Sequence, residues 1–436
     1  MEISRSVAKA IHSEDFYLLI AGSLCSVLIL AYQWSRKELQ LDSVGNPALQ
    51  IAGFALLAVI GLALFLLLRG RCDQVGFRLA FIGAMFLIVA YLAWPNRLDW
   101  PGWHDQGHYI RMTDELAHGY LTPDGFRMGL GYPLVSIPFY LLIGKDGLFI
   151  PNLIAFVGTL YFSYLFFRSL TKDLVAKITV LFMLFATTLP YHHVIWWNHG
   201  ITIFCLIALS YVATKPSTNN RLALAGLLTG FAFFTRYLDA IVFLPLLVHV
   251  LWHSKPSKIK SVFIVLVAAA PFVIAPFVAQ WLVFGDPLMS PYKFSFNAAS
   301  GVFSLDQIPN NLFLTFLYYP ESLALQTEGL GMIKMPVLVG AFYAIFAPLG
   351  AALLYRSSGK KGLVIGIATA VVVCVLYSSA FWQFHSGTFG QFPSDFRYLL
   401  LAYPYMVFFS IIGLFSFVKI CKFRDLTQEP IEGKQE

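Results

Sequence analysis

The sequence predicts an all-α polytopic membrane protein with about twelve transmembrane helices. Hydrophobic residues make up 58% of the 436 residues, and the mean hydropathy of +0.71 is far above that of soluble globular proteins. Apolar runs of membrane-spanning length recur along the whole chain. Lysine and arginine gather in short loops between these runs. The net charge of +7 therefore indicates a membrane topology and does not indicate a nucleic-acid partner.

The spans are predicted from the length of each apolar run, because a helix needs about 20 apolar residues to cross a bilayer. The runs lie at about 16–34, 48–68, 78–95, 148–167, 174–190, 199–213, 222–235, 238–252, 261–284, 335–355, 362–384 and 396–418. The first run follows a polar N-terminus and lacks a small-residue cleavage site, so we expect it to be a retained span. Arg236 and Asp239, at the junction of the short runs 222–235 and 238–252, are expected to mark a turn at the membrane surface.

The orientation follows from the basic residues, because loops rich in lysine and arginine stay on the cytoplasmic side. With the N-terminus inside, the inside loops carry the clusters around Arg71, Lys172, Lys215, Lys258, Lys360 and Lys422. The loops 96–128 and 285–334 then lie outside, and each has more acidic than basic residues. This topology requires that the segment 129–147 does not cross the membrane. The glycines and prolines of this segment suit a juxtamembrane or re-entrant helix.

The most informative polar stretch is Trp100–Tyr109, which follows the third apolar run. Asp105 lies there among aromatic and histidine neighbours, and Arg111–Gly119 has the pattern of a short amphipathic helix ended by glycine. A carboxylate held at a membrane surface is a candidate general base. The alternative is an ordinary solvated loop.

Three further polar groups are predicted at the same outer face. They are Tyr191–His199, Thr235–Asp239 and Trp382–Tyr398. His192 and His193 point to different faces of a helix and have no adjacent cysteine or carboxylate, which favours interfacial hydrogen bonding over a metal site. The arginines of the other two groups either bind an anionic headgroup or pair with Asp239 and Asp395. The sequence has no hydrolase, nucleotide-binding or zinc-protease motif, and its five cysteines do not indicate a disulfide framework.

These residues together resemble the GT-C-type polytopic glycosyltransferases that use a polyprenyl-phosphate sugar donor, of the aminoarabinose-transferase and protein-mannosyltransferase-like types. The similarity runs from about residue 96 to 418. The matching pieces, in order, are Asp105 with Tyr109 and His118-Gly119, Gly131-Tyr132-Pro133-Leu134, Thr235-Arg236-Tyr237, Phe284-Gly285-Asp286-Pro287 with Tyr292, Tyr319-Pro320-Glu321-Ser322, Gly329-Leu330, and Ser386–Gly390 with Arg397-Tyr398-Leu399-Leu400. The chain departs from the family at Asp105-Gln106, where relatives often have paired acids. Asp114 and Glu115 are therefore alternative acids.

The resemblance implies transfer of a hexosyl or pentosyl unit from the lipid-linked donor to a cell-envelope acceptor, which is a lipid, glycan or protein. Asp105 would be the catalytic base. The donor phosphate would bind Arg236, Tyr292, Lys293, Arg397 and Tyr398, and the substrates would contact His104, His108, Tyr109, His192 and His199. The scheme requires no cofactor and no metal, although some relatives of the type use a divalent metal ion. The expected partners are the donor, the acceptor and membrane lipid.

The resemblance also implies a domain organisation and a location. Residues 1–76 are an N-terminal cytoplasmic segment with two extra membrane helices, 77–418 form the GT-C-like catalytic domain, and 419–436 are a polar cytoplasmic tail. The outside loops of the domain are 96–147, which carries short juxtamembrane helices, and 285–334. We expect an integral protein of the bacterial inner (plasma) membrane, with cytoplasmic termini and the active site at the outer face.

Two other functions remain possible for this sequence. A lipid-linked sugar translocase or an envelope polysaccharide polymerase would use the same charges to guide an anionic substrate. It would also need polar residues in the middle of the membrane. A non-catalytic membrane subunit that binds lipid-linked sugars would tolerate replacement of Asp105.

Overall fold

The computed structural model describes residues 73–93, 104–185, 187, 189–289, 305–313, 340–380 and 399–417. Within these ranges the chain is helical and has no β-strand, apart from an isolated bridge between Ser217 and Ser254. The helices are α1 Gln74–Ala93, α2 His104–Ala117, α3 Gly131–Ile143, α4 Phe149–Arg168, α5 Asp173–Phe185, α6 Leu189–Val194, α7 His199–Ala213, α8 Asn219–Thr235, α9 Ala240–Trp252, α10 Lys258–Phe284, α11 Ile308–Phe313, α12 Gly340–Ser357, α13 Lys361–Ser379 and α14 Tyr403–Phe417. Short 3-10 helices cover Gly144–Leu148 and Leu305–Gln307.

Four segments of the described chain are long and apolar enough to cross a membrane. They are Gln74–Tyr91, Gly131–Arg168, Lys258–Phe284 and Lys361–Ser379. Shorter apolar helices, among them α7, α9 and α14, pack beside them. The residues that the structure describes therefore belong to an all-α membrane protein. Segments before residue 73 lie outside the described residues, and so do most of the loop 285–334 and the tail 419–436.

Helix α4 lies at the centre of the bundle, where it packs against α1, α5 and α7. Phe156, Leu160, Phe166 and Phe167 of α4 are fully buried. Around this core α8 pairs with α10, α12 with α14, and α9 with α13. Burial of apolar side chains between helices does not by itself drive association in lipid, so close van der Waals packing has to hold these pairs together.

One end of the bundle carries ion pairs between helix termini. Arg168, in the last turn of α4, contacts Asp73 before α1 and lies 4.0 Å from Asp173 of α5. Lys360 Nζ, next to α13, donates to Ser169 O at 3.2 Å. We call this end the basic end and the opposite end the α2 end.

At the α2 end, a buried carboxylate closes the turn after α2. Glu115 is 4% exposed, and it accepts hydrogen bonds from Arg111 Nε and from the Thr122 backbone N–H, both at 2.8 Å. Burial works to raise the pKa of Glu115, but the hydrogen bonds from Thr122 and Arg111 outweigh it and hold the pKa below its ordinary value. Tyr140 OH on α3 donates to Asp114 Oδ1 at 2.7 Å, which docks α2 onto α3.

Helix α3 ends at Ile143, and the next residue, Gly144, has a φ of 66°, in the left-handed region that favours glycine. The following 3-10 helix tucks against α3: a Cβ on Gly147 would lie 2.3 Å from the Phe139 carbonyl group. With 13 residues, α3 is about 20 Å long, shorter than the roughly 30 Å hydrocarbon core of a bilayer. The segment predicted as juxtamembrane or re-entrant is thus a short helix separated from α4 by a turn.

The run 174–190 is predicted as one span, but α5 ends at Phe185 and the separate helix α6 begins at Leu189. Thr187 occupies the break: its hydroxyl donates to Met183 O at 2.6 Å and accepts from Leu189 N–H at 3.2 Å. Pro190, in the first turn of α6, cannot donate to a preceding turn and suits a new helix start. Helix α6, which follows the break, carries His192 and His193.

Candidate functional site

A cluster of buried polar side chains lies at the α2 end, where α4, α6, α7 and the α8–α9 turn meet. Its members are at most 8% exposed, and they are Asn152, His192, His193, Asn198, His199, Thr202, Thr235, Arg236 and Asp239. Buried polar groups require hydrogen-bond partners, and in a membrane protein such clusters mark functional sites.

The predicted turn at Arg236 and Asp239 is confirmed, and it brings a cation into the cluster. Helix α8 ends at Thr235, and Arg236 takes an extended conformation with φ −150° and ψ 105°. Its Nε lies 3.4 Å from Asp239 Oδ2, and its Nη1 contacts both ring nitrogens of His199, with 3.0 Å to Nε2. A guanidinium can only donate, so the imidazole is the acceptor of this contact. Arg236 thus lies between the carboxylate of Asp239 and the imidazole of His199.

Asp239 is a poor candidate for an accessible base because it is 1% exposed. Its carboxylate is buried beside Arg236, whose Nε lies 3.4 Å from Asp239 Oδ2. The structure therefore shows the alternative in which Arg236 pairs with Asp239.

Side-chain hydrogen bonds to the backbone hold the irregular turn between α6 and α7. Asn152 Nδ2 donates to Ile195 O at 2.6 Å, and Trp197 Nε1 donates to His192 O at 2.5 Å. Asn198 Nδ2 donates to Thr235 O at 2.9 Å and so ties this turn to the end of α8. These bonds replace the helical ones that the turn lacks.

Two predicted substrate contacts pack against the same tryptophan ring of this turn. His192 stacks on Trp197 with ring centroids 5.3 Å apart, and His199 forms a T-shaped contact with Trp197 at 5.0 Å. The described residues contain no group of three or more histidine, cysteine, aspartate or glutamate side chains that converge on a metal position.

The start of α3 approaches the end of α8 at backbone distance. A Cβ on Gly129 would lie 2.2 Å from Thr235 O, and one on Gly131 would lie 2.2 Å from Thr235 Oγ1. The next residue, Tyr132, packs edge-on against Tyr109 of α2 with ring centroids 5.1 Å apart. Successive contacts therefore connect α2, the start of α3 and the end of α8.

Asp105 lies in the first turn of α2, four residues before Tyr109, so the two residues share a helix face. Asp105 and His108 are partly exposed, whereas Tyr109 is buried. Tyr109 turns this face toward Tyr132. His104 begins α2. The other predicted phosphate ligands, Tyr292, Lys293, Arg397 and Tyr398, lie outside the described residues.

Sequence reasoning missed Asn152 and Thr202. Both are uncharged side chains inside apolar runs, and only their polarity within a span signals a role. The sequence matches no protein-family model, and no curated protein is significantly similar to it.

Proposed function

We propose that this protein is a membrane glycosyltransferase that moves a monosaccharide from a polyprenyl-phosphate donor to a cell-envelope acceptor. The observation that carries the proposal is the meeting of three motif pieces that are far apart in the sequence. Tyr109, on the Asp105 face of α2, contacts Tyr132, and the neighbouring Gly131 contacts Thr235, next to Arg236. In this proposal the chain crosses the bacterial inner membrane about twelve times, and the α2 end faces outward.

The proposed reaction begins with Asp105, which is partly exposed and so can meet an acceptor hydroxyl. Asp105 takes the hydroxyl proton as the acceptor oxygen attacks the anomeric carbon. The bond between the sugar and the phosphate oxygen breaks, and its electron pair leaves with the polyprenyl phosphate. Glu115 and Asp239 are weaker candidates for the base, because each is buried and bound to an arginine.

The leaving phosphate gains negative charge, which a preorganised cation stabilises. Arg236 is the described candidate, because its guanidinium is held by Asp239 and His199 before any substrate arrives. A side chain that is already ordered loses less conformational entropy on binding. Lys293 and Arg397 complete the proposed phosphate site, with Tyr292 and Tyr398 as hydrogen-bond donors.

The second candidate function is translocation of a lipid-linked sugar, and one observation favours it. Thr159 and Ser163, in the middle of α4, are fully buried, and their hydroxyls have no hydrogen-bond partner within the described chain. They follow Asn152 by seven and eleven residues, so each lies within about 20° of Asn152 around the helix. Polar groups along a span can line a substrate path.

The deciding experiment uses the full chain in liposomes, with polyprenyl-phosphate sugars as donors and an envelope-lipid extract as acceptor. We expect sugar transfer by the wild type and a loss of at least about 100-fold in Asp105→Asn, with donor binding retained. Asp124→Asn is the matched control, since Asp124 is an exposed carboxylate beyond α2.

Full activity of Asp105→Asn would remove Asp105 from the mechanism. If the wild type transfers no sugar with any donor but moves labelled donor across the bilayer, the glycosyltransferase proposal is wrong and the translocase replaces it.

A further inference from the structure

Two buried acceptor atoms face the same glycine at the start of α7. His193 Nε2 and Asn152 Oδ1 have no hydrogen-bond partner in the described structure, and both side chains are fully buried. A Cβ built on Gly200 would lie 3.1 Å from His193 Nε2 and 3.2 Å from Asn152 Oδ1. Burying an acceptor without a hydrogen-bond partner is unfavourable, so a partner is expected at this place.

The contacts of each side chain fix its hydrogen-bonding role. His193 Nδ1 lies 2.8 Å from Leu189 O, and a carbonyl oxygen only accepts, so Nδ1 carries the proton. Burial lowers the pKa of His193 to about 4, although the bond to Leu189 works in the opposite direction. The ring is therefore neutral, and Nε2 is an acceptor. Asn152 Nδ2 donates to Ile195 O, which leaves Oδ1 as the second acceptor.

The backbone at the same place offers donors. Gly200 lies in the first turn of α7, and Asn198 at the N-cap makes no capping hydrogen bond. The first-turn N–H groups of an α-helix have no acceptor within the helix. Two side-chain acceptors and a helix start with backbone donors thus converge next to Gly200.

We infer that the structure has a binding site for one internal water molecule between Asn152, His193 and Gly200. The water donates its two hydrogens to His193 Nε2 and Asn152 Oδ1 and accepts from a first-turn N–H group of α7. Buried waters with about three partners are integral parts of protein structures. No side chain of the described cluster supplies two donors at this point, and water does.

This water would also position a residue of the candidate site. Gly200 directly follows His199, which contacts Arg236. The water would cap the helix start that carries His199, and it would link that start to α4 through Asn152. The inference rests on hydrogen-bond chemistry and does not depend on the proposed transferase activity.

The test is solid-state NMR of the full chain in lipid bilayers, with carbon-13 and nitrogen-15 labelled histidine. His192-His193 is the only adjacent histidine pair in the sequence, so its sequential cross-peak assigns His193 without a variant. At neutral pH we expect a protonated Nδ1, an unprotonated Nε2 and a cross-peak between Nε2 and a water proton.

Gly200→Ala adds a methyl group 3.1 Å from His193 Nε2 and 3.2 Å from Asn152 Oδ1, which should displace the water and abolish the water cross-peak. Gly107→Ala should retain it, because a Cβ at Gly107 meets nothing within 4 Å. A doubly protonated His193 ring in the wild type would overturn the inference, since Nε2 could then donate to Asn152 itself. An unprotonated Nε2 without a water contact would overturn it as well.

Discussion

Gly131 and Thr235 are in direct contact, although they lie in helices that are far apart in the sequence. A Cβ on Gly131 would lie 2.2 Å from Thr235 Oγ1 and 2.9 Å from its Cα. Only a residue without a side chain allows α3 to approach α8 this closely. Tyr132 follows Gly131 and Arg236 follows Thr235, so both residues lie next to this close helix contact.

Gly131→Ala should destabilise the protein by roughly 1–3 kcal/mol, because the added methyl group must displace the backbone of Thr235. The measurement is the thermal midpoint of the protein in detergent. Gly107→Ala is the matched control: its Cβ meets nothing within 4 Å, and alanine in an exposed helix position stabilises by up to about 1 kcal/mol. Equal midpoints for the two variants would contradict the close contact.

Asp239→Asn should destabilise the protein by about 3–5 kcal/mol, because it leaves the charge of Arg236 buried without its carboxylate. The double variant Arg236→Gln with Asp239→Asn should lose less than the sum of the two single losses. Asp124→Asn breaks an exposed pair with Arg127 and should cost less than about 1 kcal/mol. Additive losses at Arg236 and Asp239 would show that the two groups do not interact.

The stability of the protein should depend on the protonation of Glu115. The folded state lowers the pKa of this group, so its contribution is fully present above the ordinary value of 4.5 and disappears as the pH falls through the folded pKa. Thermal midpoints of the wild type and Glu115→Gln should therefore differ at neutral pH and converge in acid. A difference that stays constant from neutral to acidic pH would contradict the hydrogen-bonded carboxylate.

Thr159→Val should leave stability unchanged or raise it, because it removes a buried hydroxyl that has no partner. Thr179→Val is the control, since the Thr179 hydroxyl donates to Val175 O at 2.8 Å and its loss should cost about 1 kcal/mol. If the Thr159 variant is stable and still transfers sugar, the mid-membrane hydroxyl is not needed for transfer. Loss of donor translocation in the same variant would favour the second candidate function.

Much of the fold could be predicted from local sequence. The run 199–213 coincides with α7, and the run 148–167 lies within one residue of α4 at each end. The prediction of a single span over 174–190 is less accurate. The break around Thr187 and Pro190 lies within an apolar stretch that has no charge to mark it. Of the site, Arg236 and His199 were expected at one face, but their mutual contact was not.

The sequence by itself determined the class of the protein and the approximate bounds of most of the long helices that the structure describes. In lipid a backbone must satisfy its own hydrogen bonds, so an apolar run of sufficient length has to be a helix. The tertiary structure alone decided which polar side chains share a site. Asn152 meets His193, and Gly131 meets Thr235, because particular helix faces pack together at backbone distance. Which helix faces pack together depends on shape complementarity between distant segments, and no local pattern of residues contains that information.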